Sequence, residues 1–171
     1  MAPFWGKGLL ARFDSIAIKR YGITEREVKR VGQYVRLLQE VLPVTVWDQM
    51  QHYGKEYRTS ILIHEVVQFR GLARAGINLL RYSRRTLARL LEENADVHVE
   101  ALYEEHLYLQ EVIQRKYGEY FQVATLIKAN REDTRDLNVF LESGIGIFLL
   151  QSDETVERAR QVLRRMKEEK G

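Results

Sequence analysis

The chain contains no cysteine. That excludes disulfide staples and every thiolate metal site. Any metal would have to be held by histidine, carboxylate or carbonyl groups. Proline is nearly absent: Pro3 and Pro43 are the two, so only Pro43 is a strong helix breaker in the interior. No apolar run approaches the roughly 18 residues that cross a bilayer. The opening stretch, MAPFWGKGLLARF, breaks a short apolar patch with lysine and arginine. It lacks the apolar core and cleavage site of a secretory signal, so a cytoplasmic protein without a membrane is expected. Glycine-rich nucleotide loops, a Walker loop and a Gly-x-Ser-x-Gly elbow are all missing. So are internal repeats and low-complexity linkers.

What is present is a globular composition. Of 171 residues, 45% are hydrophobic and 30% charged, enough to bury a core without staples. A single domain over 1–171 is expected. Net charge is only +3, but it is unevenly divided. Residues 1–90 carry 16 Lys/Arg against 7 Asp/Glu, and residues 91–171 carry 11 against 17. The basic first half admits an anionic partner. Mutual neutralisation of the two halves is the simpler reading, because no dense Lys/Arg run marks a binding stripe.

Helical periodicity dominates. Thr24 and Glu27 form a capping box after Gly22, followed by Val28, Val31, Val35 and Leu38 on one face. A helix over 59–73 is apolar nearly all round and is therefore predicted to be central. A short helix follows over 83–91. The longest is expected from Asn94 or Asp96 to Tyr117, ended by Gly118. Further helices are expected over 121–129 and 131–142, and Ser152-Asp153 should cap a last one. Residues 44–47 are the best extended candidate, and 147–150 suit strand or helix. The expected fold class is all-α: a compact bundle of about six to eight helices with little or no β.

The four histidines, His52, His64, His98 and His106, fall in one stretch. His64 and Glu65 sit inside the most apolar helix, where an unpaired carboxylate is expensive. His98 and Glu105 are seven apart, which brings them within about 20° of each other on a helix. If the two helices pack together, two imidazoles and two carboxylates meet in a dry core. His64, Glu65, His98 and Glu105 are thus candidate ligands for zinc, manganese or iron. Glu65 and Glu105 are candidate bases for a hydrolytic water. A hydrogen-bonded structural network is the competing reading. The His-Glu-x-x-His pattern fails at Gln68. The Glu-x-x-His di-iron pattern fails at Ile61, Ala95 and Tyr103.

The segments HEVVQ and VHVEALYEE resemble paired His-Glu and Ala-His-x-x-Ala-Leu-x-x-Glu motifs of uncharacterised small helical bacterial and phage proteins. The resemblance covers about residues 60–70 and 95–110, and makes His64, Glu65, His98 and Glu105 the shared positions. It departs at Val97, where alanine stands in the motif, and at Gln68, where an acid is usual. It brings no established activity.

Two further patterns remain. Arg58-x5-His64 resembles the Arg-x(4–6)-His element of metal-free HEPN-type ribonucleases, where the histidine is an acid/base on RNA. Residues 18–28 read as a helix-turn-helix, with Lys19, Arg20, Arg26, Lys29 and Arg30 toward phosphates. The second helix is not expected to offer an Asn, Gln or Ser face to base edges. A solvated helix face is the preferred reading there, and a non-enzymatic interaction or nucleic-acid-binding protein is the alternative function.

Overall fold

The computed structural model describes residues 8–39, 50–78, 83–130 and 152–169. Among them are seven α-helices and no strand: α1 (Ser15–Tyr21), α2 (Glu25–Gln39), α3 (Lys55–Arg74), α4 (Arg84–Glu93), α5 (Ala95–Tyr117), α6 (Val123–Asn130) and α7 (Asp153–Glu168). The all-α expectation holds. The expectations for 44–47, 131–142 and 147–150 lie outside the described residues.

Helix α3 is the axis of the bundle. Its 20 residues bury Tyr57, Ile61, Leu62, Ile63, Val66, Val67 and Leu72 on several sides, as its near-continuous apolar sequence requires. Its largest neighbour is α5; α2 and α7 cover other faces, and α6 links α5 to α7. The 23-residue α5 buries Ala101, Leu102, Leu109, Val112 and Ile113. It ends where Gly118 turns into the left-handed region. Helix α7 buries Val156, Ala159, Val162, Leu163 and Met166, the stripe its spacing predicts. Ser152 caps it by accepting from the Thr155 N–H at 3.3 Å.

Helix α1 begins ten residues before the first helix the periodicity marks. Asp14 explains the start. Its Oδ1 accepts from Ile16 N–H at 3.0 Å, and its Oδ2 from the Tyr108 hydroxyl of α5 at 2.8 Å. Its own N–H donates to Thr59 Oγ1 of α3 at 2.9 Å. One residue thereby caps α1 and fastens it to both central helices. Arg20 adds a bidentate pair with Glu111 at 2.7 and 2.9 Å. Arg74 faces Glu100 at 3.6 Å. These pairs are part of the neutralisation expected between the basic and acidic halves.

The far end of α5 is tied to the end of α7. Lys116 pairs with Glu169 and Glu56, and the Tyr117 hydroxyl donates to Glu169 at 2.5 Å. The Lys116 and Tyr117 hydrogen bonds hold the Glu169 carboxyl below its ordinary value of 4.5. Burial, with Glu169 as acceptor, pushes the Tyr117 hydroxyl up to about 12. A depressed carboxyl stabilises the fold above the ordinary carboxylate range and ceases to do so as pH falls through its folded value. The melting-temperature gap between the native protein and Glu169→Gln should therefore be open at pH 7 and close below about pH 4. It should span a few degrees at most, because these groups are partly exposed and screened. A gap unchanged between pH 7 and pH 3 would refute the tie.

Candidate polar centre between the two central helices

Three polar residues of α3, Ser60, His64 and Gln68, are spaced four apart and so form one line along the helix. All three are buried. The Ser60 hydroxyl donates to the Tyr57 carbonyl at 2.6 Å. His64, at the middle of the line, reaches across to α5.

Its Nδ1 lies 3.1 Å from Glu105 Oε1. Its ring meets the His98 ring edge to face, with centroids 5.1 Å apart. Seven residues of helix rise about 10.5 Å, so one imidazole from α3 touches two side chains placed two turns apart on α5. Glu105 is 2% exposed and His64 4%; His98 is half-buried. The structure thus brings together His64, His98 and Glu105, as the spacing predicts.

It also adds His106, which the sequence reading counted but did not select. His106 is fully buried, with Nδ1 2.7 Å from the Leu102 carbonyl. A carbonyl only accepts, so Nδ1 carries the proton and donates. That same Nδ1 stands 3.3 Å from Glu105 Oε2. The Glu105 carboxylate therefore lies between two imidazoles, one at each oxygen. The missed signal was spacing: His106 follows Leu102, a member of the inward stripe, by four residues.

Glu65 is one residue, about 100°, further round α3 than His64. It shares a face with Phe69, whose ring packs 5.8 Å from that of Tyr34 on α2. Tyr34 is fully buried, and its hydroxyl has no hydrogen-bond partner among the described residues. Burial first, and the Glu65 charge second, push that hydroxyl well above its ordinary range.

No family model, curated protein or solved structure matches this chain. Among the described residues, no three histidine or carboxylate side chains already surround one ion-sized point. The 3.1 Å between His64 Nδ1 and Glu105 Oε1 is a hydrogen-bond distance that two ligands of one ion would also show. Two ligands about 2.1 Å from one ion stand roughly 3.0–3.4 Å apart at octahedral or tetrahedral angles. Arg58, the other residue of the ribonuclease-like spacing, donates from Nε to the Arg12 carbonyl at 2.8 Å and from Nη1 to the Tyr53 carbonyl at 3.0 Å. Its guanidinium ties two loops together at the start of α3.

Proposed function

We propose that this protein works through the His/Glu centre between α3 and α5, and that the centre takes up one divalent ion. The observation that carries the reading is the contact of His64 Nδ1 with Glu105 Oε1, 3.1 Å across the helix interface and almost out of solvent. His64, His98 and Glu105 are the primary ligands in this reading, with Glu65 the fourth donor available on α3. His106 is a positioning residue: it stands at the second oxygen of Glu105 and limits how that carboxylate turns. Zinc, manganese and iron suit a set of imidazoles and carboxylates. The chemistry such an ion supplies is activation of water for hydrolysis. Glu65, the acid outside that primary set, would then serve as the base. His98 is the least buried member of the histidine–glutamate contact.

The test is direct. Protein purified without a metal-affinity tag, stripped and reloaded with Zn(II), Mn(II) or Fe(II), should retain about one equivalent of one of them by elemental analysis. Its melting temperature should rise with the loaded ion. His98→Ala, at a half-buried position, should fold and lose the retained ion. Retention of less than about a tenth of an equivalent of all three would overturn the ion. The cluster would then be a hydrogen-bonded network that sets helix register.

A further inference from the structure

A second feature is independent of the polar centre. Helices α1 and α2 are joined by three residues, Gly22-Ile23-Thr24. Gly22 adopts φ 58°, ψ 39°, the left-handed conformation that glycine takes without steric cost. Ile23 is buried and anchors the turn to the core. Thr24 opens α2 by accepting from the Glu27 N–H at 3.1 Å. Arg70 of α3 clamps the turn from below. It donates to both carboxylate oxygens of Glu27 at 2.7 and 2.6 Å, to the Tyr21 carbonyl at 2.8 Å and to the Gly22 carbonyl at 3.4 Å. The last carbonyls of α1 and the first turn of α2 are thus fixed by one guanidinium.

Helix α2 turns Val28, Val31, Tyr34 and Val35 into the core. Its opposite face carries Arg26, Lys29, Arg30, Gln33 and Arg36, all exposed. At about 100° per residue these five fall within roughly 120° of arc, and no acid of α2 lies inside that arc. Gln33 is the one amide in this arc. Arg30 lies 5.8 Å over the Phe69 ring. Beside it an open groove of about 380 Å³ runs between Gly22, Thr24, Arg26 and Phe69.

A three-residue turn with a left-handed glycine, a second helix bared on one side, and four cations plus one amide on that side form one device. We propose that α1, the turn and α2 are a helix-turn-helix that seats α2 in the major groove of duplex DNA. Arg26, Lys29, Arg30 and Arg36 neutralise phosphates, and Gln33 faces base edges. From Arg26 to Arg36 the stripe runs about 15 Å, which suits a major groove about 12 Å wide. The deep, narrow major groove of duplex RNA does not admit a helix. B-form DNA is therefore the occupant that both charge and shape select.

The experiment uses the full chain and a labelled duplex of roughly 20 base pairs of mixed sequence, followed by fluorescence anisotropy from about 50 to 200 mM salt. Binding in the micromolar range is expected at the low-salt end, weakening steeply as salt rises. The triple variant Arg26→Ala, Lys29→Ala, Arg30→Ala should bind at least about 10-fold more weakly. Its log–log salt slope should be shallower by roughly 3. Lys29→Glu alone, at an exposed position, should act in the same direction. Removing equal charge from α7 with Arg158→Ala, Arg164→Ala, Arg165→Ala should leave affinity within about 2-fold. Three results would each overturn the proposal: no binding at about 50 mM salt, equal losses in the two triple variants, or duplex RNA competing as well as duplex DNA.

Discussion

Glu105→Ala should cost about 3 kcal/mol of folding stability, the largest single-residue effect expected within the polar centre. Three losses combine. The carboxylate at the His64 and His106 nitrogens disappears, leaving two buried imidazoles facing empty space. His106 keeps its bond to the Leu102 carbonyl, but the desolvation of His64, offset by the carboxylate in the native protein, loses that compensation. The removed side chain also leaves a cavity between two helices whose other contacts hold them in place. For a chain of this length the change corresponds to a fall of roughly 6–12 °C in melting temperature. Glu105→Gln should cost about 1 kcal/mol, since an amide keeps the volume and still offers one acceptor and one donor. Urea unfolding with an unchanged m value is the measurement. A coupling of about 1–3 kcal/mol between His64→Ala and Glu105→Ala would place the effect in the contact rather than in either residue alone. A loss below about 1 kcal/mol for Glu105→Ala, or additivity of the pair, would mean that the contact holds nothing.

That contact was legible in the sequence because helix periodicity is a local property. His98 and Glu105 lie on a stripe of alanine, leucine and valine, and His64 sits in a helix that is apolar nearly all round. Two inward helices with polar residues at mid-length have few places to put them except against each other. His106 was less legible because it follows Glu105 directly, and neighbours in sequence point about 100° apart. It becomes inward only because α5 is embraced broadly enough for both directions to be covered, by α3 and by α6. Helix α1 was missed for a different reason. Seven residues are too few to show a period, and its start depends on Asp14, whose second carboxylate oxygen is engaged by Tyr108, 94 positions later. The α2 surface was half-legible. The basic residues were visible, but the withdrawal of Glu27 from beside them depends on Arg70, a distant residue, taking it to itself. Without that bidentate pair, Glu27 would border the cationic arc and weaken it.

Gly54→Ala tests a constraint that no periodicity reveals, and it should cost about 2–4 kcal/mol. Gly54 has φ −57° and ψ 155°, a conformation any residue adopts, so backbone strain is not the obstacle. The obstacle is proximity. A Cβ at this position would run into the main-chain carbonyl oxygens of Met166 and Glu169 at the end of α7. Carbonyls of a helix terminus do not rotate aside as side chains do. At Gly71 the added carbon would meet a side-chain methyl of Val97 rather than backbone. At Gly54 the loop and the helix would have to part. Parting them breaks the Gly54 N–H bond to the Lys167 carbonyl at 3.1 Å. It also pulls Glu169 from Lys116 and Tyr117, so one methyl group loosens the α5–α7 tie as well. The expected result is a melting temperature lower by roughly 4–16 °C, with hydrogen exchange accelerated first in the last turns of α7. Exchange in the middle of α3 should quicken only as much as global stability falls. A Gly54→Ala protein as stable as the parent would show that α7 yields at its end without loss, and that its docking rests on the buried stripe from Val156 to Met166 alone.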